Sequence, residues 1–343
     1  MRPLLNTLYI TQQDVYIGRD GLNIVIWKDQ EKLGQFPIHY FENIICFNYT
    51  GMSPEAMALC LENAVGVSFL TPQGKVLGRL AGKVTGNVLL RQEQFRIADD
   101  KKRSLQFAKQ FITGKLYNSL QVVNRAIRDY KGQDFVETLQ KTKKILQEAR
   151  EDINCADSLE KLLGIEGDFS RNYFQVFDLL ILQQKYDFSF NVRTRRPPRD
   201  PVNTMLSLTY GMIRVLVENA LTTVGLDPYV GFFHQPRPGR SSLALDLMEE
   251  LRAYMGDRFV LTLINLRQIN IDDFFIKTGG EVLFSEEGLK KYLDLWNKKL
   301  QERIAHPFLE ETVQIGLIPY IQATLLARTI RNDLELYPPF LMK

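Results

Sequence analysis

Cysteine is scarce in this sequence. There are three, Cys46, Cys60 and Cys155, and no two share a CxxC-like spacing. That excludes a zinc ribbon and a disulfide framework, and it suits free thiols in a reducing cytoplasm. Long apolar runs are missing: no window approaches the roughly 20 residues a helix needs to cross a bilayer. The opening MRPLLNTLYI has one arginine and a short, interrupted apolar run, unlike a secretory leader. Charge of one sign is not in excess: the net charge is +3, too small to imply nucleic acid by itself. There is no internal repeat, no low-complexity tract and no Ser/His/Asp or Cys/His arrangement. A cytoplasmic globular protein is expected.

What remains is an ordinary globular composition, 45% hydrophobic and 24% charged, in 343 residues, enough for two domains. Up to about residue 90 the pattern predicts strands: Thr7–Ile10, Asp14–Ile17, Leu22–Trp27, Gln35–Ile38, Asn43–Phe47 and Val65–Leu70. Gly18-Arg-Asp-Gly21 is a turn signal between two β-branched runs and predicts a hairpin. Ser53-Pro54 predicts the start of one short helix. The period then changes. From Asp99 to Lys131, Leu105, Ala108, Phe111, Ile112, Leu116, Leu120, Val123 and Ile127 recur at helical steps. Further helices are expected over Asp134–Asn154, Asp157–Leu163 and Ser170–Leu182, with a short strand near Val260–Leu266. The fold class is therefore α+β and multidomain, with a small β domain over residues 1–95 and a mostly α-helical domain over 96–343.

Three stretches carry candidate chemistry. Gly164-Ile-Glu166-Gly167 places one carboxylate between two glycines at a helix junction, where little covers it. The loop from Asn191 to Asn203 holds Arg193, Arg195, Arg196 and Arg199 among prolines, a presentation suited to bidentate phosphate contact. Gly231–Arg252 reads GFFHQPRPGRSSLALDLMEELR. It puts His234, Arg237 and Arg240 in a loop, then a helix with a hydroxyl N-cap at Ser241 or Ser242. Asp246, Glu249 and Glu250 fall on one side of that helix and leucines on the other. Carboxylates with a histidine suit magnesium or manganese. Each stretch also has an ordinary reading: a helix C-cap with an incidental acid, a solvated basic loop, and a surface helix with acids outward. His39 and His306 read as structural, the latter as a helix-end residue.

Taken in order, these residues resemble the CRISPR-associated integrase family, the universal adaptation endonuclease of prokaryotic CRISPR immunity. Gly164, Glu166, Gly167, Tyr173 and Phe174 match, as do Arg195-Arg-Pro-Pro and Asp200-Pro-Val-Asn203. His234, Arg237, Gly239-Arg240, Ser242-Leu-Ala-Leu-Asp246-Leu-Met-Glu249, Asn265 and Asp273-Phe274 complete the set. Tyr337-Pro-Pro-Phe340 points to the subtype I-C branch. The resemblance implies a homodimer whose β domain serves dimerisation and partner contact. It implies a magnesium or manganese site made by Glu166, His234 and Glu249, with Asp246 as a possible ligand. Many relatives carry Asp where Glu249 stands. It also implies double-stranded DNA held by Arg193, Arg195, Arg196, Arg199, Arg237 and Arg240, and a complex with the small second adaptation protein. The expected activity is insertion of short DNA spacers into the CRISPR array by transesterification. The rivals are a non-catalytic DNA-binding scaffold and a hydrolase of small phosphoesters.

Overall fold

Alternating apolar residues in the first eighty positions build two small sheets. The computed structural model describes residues 7–41, 43–47, 50–71, 76–80, 88–194 and 197–342. Strands β1 (Thr7–Ile10), β2 (Val15–Asp20), β3 (Asn23–Lys28), β4 (Glu31–Pro37), β5 (Asn43–Cys46) and β6 (Gly51–Met52) precede helix α1 (Pro54–Glu62). Strands β7 (Gly66–Leu70) and β8 (Val76–Leu80) follow it. One sheet runs β4-β3-β2-β6; the other runs β1-β5-β7-β8, with β1, β5 and β7 parallel. Ser53 caps α1 by accepting the Ala56 N–H at 3.1 Å, as its sequence predicts. Ile17, Ile24, Ile44, Leu59 and Cys60 form the core here. Ile45, Phe47 and Leu70 join the larger core of the helices instead.

The predicted hairpin exists, but its turn is later. Asp20 pairs with Asn23, so Gly21 and Leu22 make the turn and Gly21 takes a φ of +59°. Gly18 stays in the strand because Trp27 covers it: a Cβ there would meet the indole Nε1 at 3.1 Å.

The helical region consists of α2 (Val88–Asp99), α3 (Lys101–Asp129), α4 (Val136–Cys155), α5 (Leu159–Gln175), α6 (Pro201–Val224), α7 (Ser242–Leu251) and α8 (Arg258–Asn265). A hairpin β9 (Phe274–Ile276)–β10 (Val282–Phe284), α9 (Glu286–Gln301), a second hairpin β11 (Arg303–Ala305)–β12 (Thr312–Gln314) and α10 (Ile318–Ile330) complete it. The expected architecture, β-rich first and mostly helical after, is what the fold has. Among the described residues, no helix is long and apolar enough to cross a membrane.

Several local expectations are corrected. The break at Gly164 is absent: α5 runs unbroken through Gly164 and Gly167, so Glu166 sits inside a helix. The stretch expected as strand near Val260–Leu266 is helical up to Asn265, because Phe259, Val260, Leu263 and Ile264 bury together at helical spacing and tertiary packing overrides β-propensity. His306 is no helix end. It is fully buried after β11, with Nε2 3.2 Å from Gln322 Oε1. Cys46 and Cys60 are buried as expected, whereas Cys155 is exposed.

Candidate active site

Helix α7 is the piece around which the site forms. Its acids do not face solvent: Asp246 and Glu250 are fully buried and Glu249 is 3% exposed. A helix buried all round belongs inside a core, and each acid there must find its own partners. The serine cap is also corrected. Ser241 makes no side-chain cap. The first-turn N–H groups of Leu243 and Ala244 donate instead to the Pro228 carbonyl, at 3.0 and 3.2 Å.

Asp246 is saturated by the loop before the helix. Its carboxylate accepts the N–H groups of Phe232, Phe233 and His234 at 2.6, 2.9 and 2.8 Å, and lies 2.7 Å from His234 Nδ1. Those contacts take the four acceptor directions a carboxylate offers. The loop can wrap so closely only because residue 231 is glycine. A Cβ there would sit 2.7 Å from the Ser242 carbonyl carbon and 2.8 Å from Asp246 Oδ2. The consequence is a fixed imidazole with Nδ1 engaged and Nε2 left as the other ring nitrogen.

Glu249, one turn on, meets Glu166 across a single ammonium. Lys115, from α3, pairs with Glu166 Oε1 in a short contact and with Glu249 Oε2 at 2.8 Å. Glu249 Oε2 is buried, and the Lys115 ammonium is the cation beside it. Ser170 Oγ donates to Glu166 at 2.8 Å, and Arg252 pairs with Glu249 Oε1 at 2.9 Å. Burial alone would raise the Glu249 carboxyl. The charges of Arg252, Lys115 and His234 outweigh burial and hold it at about 2.

Glu166, His234 and Glu249 therefore line one cleft of about 600 Å³, although they come from distant parts of the chain. They do not close into a ready ligand set. Among the described residues, no group of three or more His, Cys, Asp or Glu side chains is placed to hold a metal ion. Lys115 stands between the two carboxylates instead.

A second wall of the same cleft is phenolic. Tyr173 (α5) and Tyr210 (α6) both donate to Asp257, Tyr173 at 3.0 Å and Tyr210 in a short contact. Asp257 ends a turn of π-helix, Arg252–Asp257, inserted between α7 and α8. Wide turns of this kind recur at functional sites. The guanidinium groups of Arg252 and Arg193 lie 5.1 and 5.5 Å from the Tyr210 ring centroid.

The predicted DNA-contacting arginines divide. Arg193 lines the cleft and is held by Asn203 Oδ1 at 2.7 Å and Ser207 Oγ at 3.1 Å. Arg199 and Arg237 are exposed and Arg240 half-buried, and none of the three lines the cleft. Arg195 and Arg196 lie outside the described residues. Asn203 and Asn265, matched in sequence, brace loops: Asn203 Nδ2 donates to the Val192 carbonyl and Asn265 Nδ2 to the Leu180 carbonyl.

Sequence reasoning missed Lys115, Arg252, Tyr210 and Asp257. Lys115 left one signal, a cation on the stripe that includes Phe111, Ile112 and Leu116. Arg252 left another, three residues from Glu249 on a helix.

A family model described as CRISPR associated protein Cas1 matches residues 8–298. The chain is 39% identical to CRISPR-associated endonuclease Cas1 1 of Chlorobaculum tepidum over 343 residues, covering 100% of both. It is 40% identical to CRISPR-associated endonuclease Cas1 2 of Rhodospirillum rubrum over 351 residues, again covering 100% of both. The fold is similar to that of a CAS1 protein from Thermotoga maritima, with a TM-score of 0.82 at 18% identity over 98% of this chain and 100% of that one. It is also similar to a casposase bound to integration product, with a TM-score of 0.83 at 23% identity over 99% and 95%. A third neighbour is a Cas6-RT-Cas1–Cas2 complex, with a TM-score of 0.82 at 23% identity over 98% of this chain and 36% of that one. With a family model spanning most of its length and relatives alike from end to end, the chain belongs to the Cas1 family of CRISPR-associated proteins.

Proposed function

We propose that the chain is a metal-dependent DNA endonuclease and integrase of CRISPR adaptation, joining a DNA 3′ hydroxyl to a target strand by transesterification. The observation that carries this reading is the pair of carboxylates, Glu166 and Glu249, flanking one cation in a cleft that His234 also lines. The fit to a divalent cation rests on three features. The Lys115 ammonium is a stand-in positive charge. Glu249 Oε2 is buried and faces that ammonium at 2.8 Å. The donors are two carboxylates and an imidazole whose tautomer a buried carboxylate sets, the arrangement common to histidine metal ligands.

Glu166, Glu249 and the Nε2 of His234 would hold the ion, magnesium or manganese. Asp246, already saturated, orients the imidazole and is not assigned as a ligand. When bound, a divalent cation neutralises charge on the attacked phosphate and stabilises the leaving oxygen. The remaining work is positioning, which needs no covalent enzyme nucleophile. Gly164 and Gly167 support a nucleic-acid approach: a Cβ on either would meet nothing within 4 Å, so the bare backbone around Glu166 faces open space. Arg193, Arg195, Arg196, Arg199, Arg237 and Arg240 are proposed to hold the DNA backbone.

Two partner proposals follow. The outward face of the β4-β3-β2-β6 sheet carries Tyr16 and Trp27 as an exposed cross-strand pair. Such an apolar patch supports homodimerisation through the β-rich region. The likeness to a Cas1–Cas2 assembly supports a complex with the small second adaptation protein. The subtype I-C placement rests on Tyr337-Pro-Pro-Phe340 and is tested by the tree of full-length relatives.

The decisive test is strand transfer and nicking on branched DNA with magnesium or manganese, wild type against His234→Ala. Loss in the variant supports the reading, and unchanged cleavage overturns it. DNA binding without any cleavage by the wild type would favour a scaffold. Activity on a chromogenic phosphodiester but not on DNA would favour a small-phosphoester hydrolase.

A further inference from the structure

The cleft has two walls, and strand transfer as proposed above uses only one. The reaction breaks the bond between phosphorus and the 3′ oxygen of the strand being released. That oxygen must end with a proton. The carboxylate wall has no donor to spare. His234 Nδ1 faces Asp246 and its other nitrogen belongs to the proposed ligand set, while Lys115 is committed to Glu166 and Glu249. A guanidinium is too weak an acid.

The phenolic wall does have one. Asp257 is 2% exposed and lies behind Tyr210, which is half-buried at the cleft surface. Burial pushes the Asp257 carboxyl up to about 6, against the lowering influence of the Tyr210 and Tyr173 hydrogen bonds and of Arg252 and Arg193. Those four groups are the titratable and charged neighbours that face it, from α6, α5, its own turn and the loop before α6. Burial and the neighbouring Asp257 hold the Tyr210 hydroxyl well above the usual phenol range, so it keeps its proton until an oxygen more basic than itself develops beside it, and Arg193 and Arg252, both close to its ring, offset that rise only in part.

We infer that Tyr210 protonates the leaving 3′ oxygen, and that Asp257 is the positioning residue that resupplies its proton. The inference rests on the strand-transfer reading. The attacking 3′ hydroxyl forms the new bond to phosphorus and loses its proton to water. As the old P–O3′ bond breaks, the Tyr210 O–H proton passes to the departing oxygen. The Asp257 carboxyl proton passes to Tyr210 Oη, and the Asp257 carboxylate regains a proton from water. No electron is exchanged with a third reactant. When Asp257 holds its proton it donates to Tyr210 Oη, which frees the phenolic hydrogen to turn toward the substrate.

The test uses the full chain with manganese and branched DNA whose junction carries either oxygen or sulfur as the bridging 3′ atom. A thiolate departs without being protonated. Asp257→Asn and Tyr210→Phe are expected to slow the oxygen-bridged reaction by roughly 10²-fold, within the range of general acid catalysis. DNA affinity should stay within a few-fold, and both variants should match wild type on the sulfur-bridged substrate. The wild-type rate should fall as pH rises through the Asp257 range, and Asp257→Asn should lose that limb. Equal slowing on both substrates would show a merely structural role and overturn the inference, as would no slowing on either. If wild type turns over neither substrate, the strand-transfer reading fails first and this inference falls with it. Retention of the melting transition in Tyr210→Phe separates chemistry from misfolding.

Discussion

Glu249 and Glu250 are neighbours on one helix, and their environments are opposites. Glu249 points to the cleft, among Lys115, Arg252 and His234, and its carboxyl is held at about 2. Glu250 points away, into a neutral pocket built from the end of the chain. There its oxygens accept from Gln322 Nε2 at 2.8 Å, Tyr337 Oη at 2.7 Å and the Phe340 N–H at 3.1 Å. Burial raises it to about 7, and those neutral donors offset the rise only in part. Equal burial thus gives opposite titration, and the sign is set by whether the partners carry charge. The cleft side keeps negative charge among Lys115, Arg252 and His234. The far side is built to hold α7 still.

Substitutions can break this contrast. The largest effect is expected for Glu249→Gln, which leaves Lys115 and Arg252 buried with less counter-charge. Removing one member of a buried ion pair costs roughly 3–5 kcal/mol. Chemical denaturation should show a loss of that order, and strand transfer should fall to background; retention of both would show that the cleft charges are dispensable.

Next is the pH dependence of the far side. A carboxyl raised from about 4.5 to about 7 on folding binds its proton more tightly in the native state. Its contribution is most favourable below the unfolded value and declines as pH rises toward 7, by about 3 kcal/mol in total. Glu250→Gln removes that titration. Denaturation midpoints measured from pH 5 to 8 should therefore fall less steeply in the variant than in the wild type. Parallel curves would mean that Glu250 is not held as described.

Lys115→Gln sharpens the cleft side. It takes away the cation between Glu166 and Glu249, so the metal-free protein should melt lower. Manganese should then raise the melting temperature by more than it does in the wild type, because no ammonium competes. A smaller manganese shift in the variant would argue against Lys115 as a stand-in ion. The smallest effect is at Gly167→Ala. Replacing a helix-interior glycine stabilises by roughly 0.5–1 kcal/mol. DNA affinity should drop in a binding titration, since a methyl then stands on the open surface beside Glu166.

Much of the fold was legible because it is periodic. The Leu105–Ile127 stripe specified α3, and Ser53-Pro54 specified the start of α1. The misses have physical causes. Gly164 and Gly167 look like breaks, yet a helix tolerates them when a site needs bare backbone. Phe259–Ile264 is β-prone residue by residue, and only its burial against the helical core decides for helix. In the site, the convergence of Glu166, His234 and Glu249 was legible through resemblance rather than spacing, since no local pattern links residues from separate helices. The pairings of Lys115 and Asp257 were hidden for the same reason, although Lys115 itself left a cation on the apolar stripe of α3. Their partners, Glu166 and Tyr210, lie 51 and 47 residues away in the chain. The burial of α7 was misread because leucine on one side and acid on the other is also the signature of a surface helix.

The segment from Tyr337 to Met342 straps two helices together. Asn118 ties it to the middle of α3, donating to the Phe340 carbonyl at 2.8 Å and accepting the Met342 N–H at 2.9 Å, while Phe340 reaches Glu250 across 90 residues. The segment closes the back of the two helices that carry Lys115 and Glu249. A change at Asn118 or Phe340 would therefore act on the cleft from behind, through the spacing of α3 and α7, although neither residue lines it.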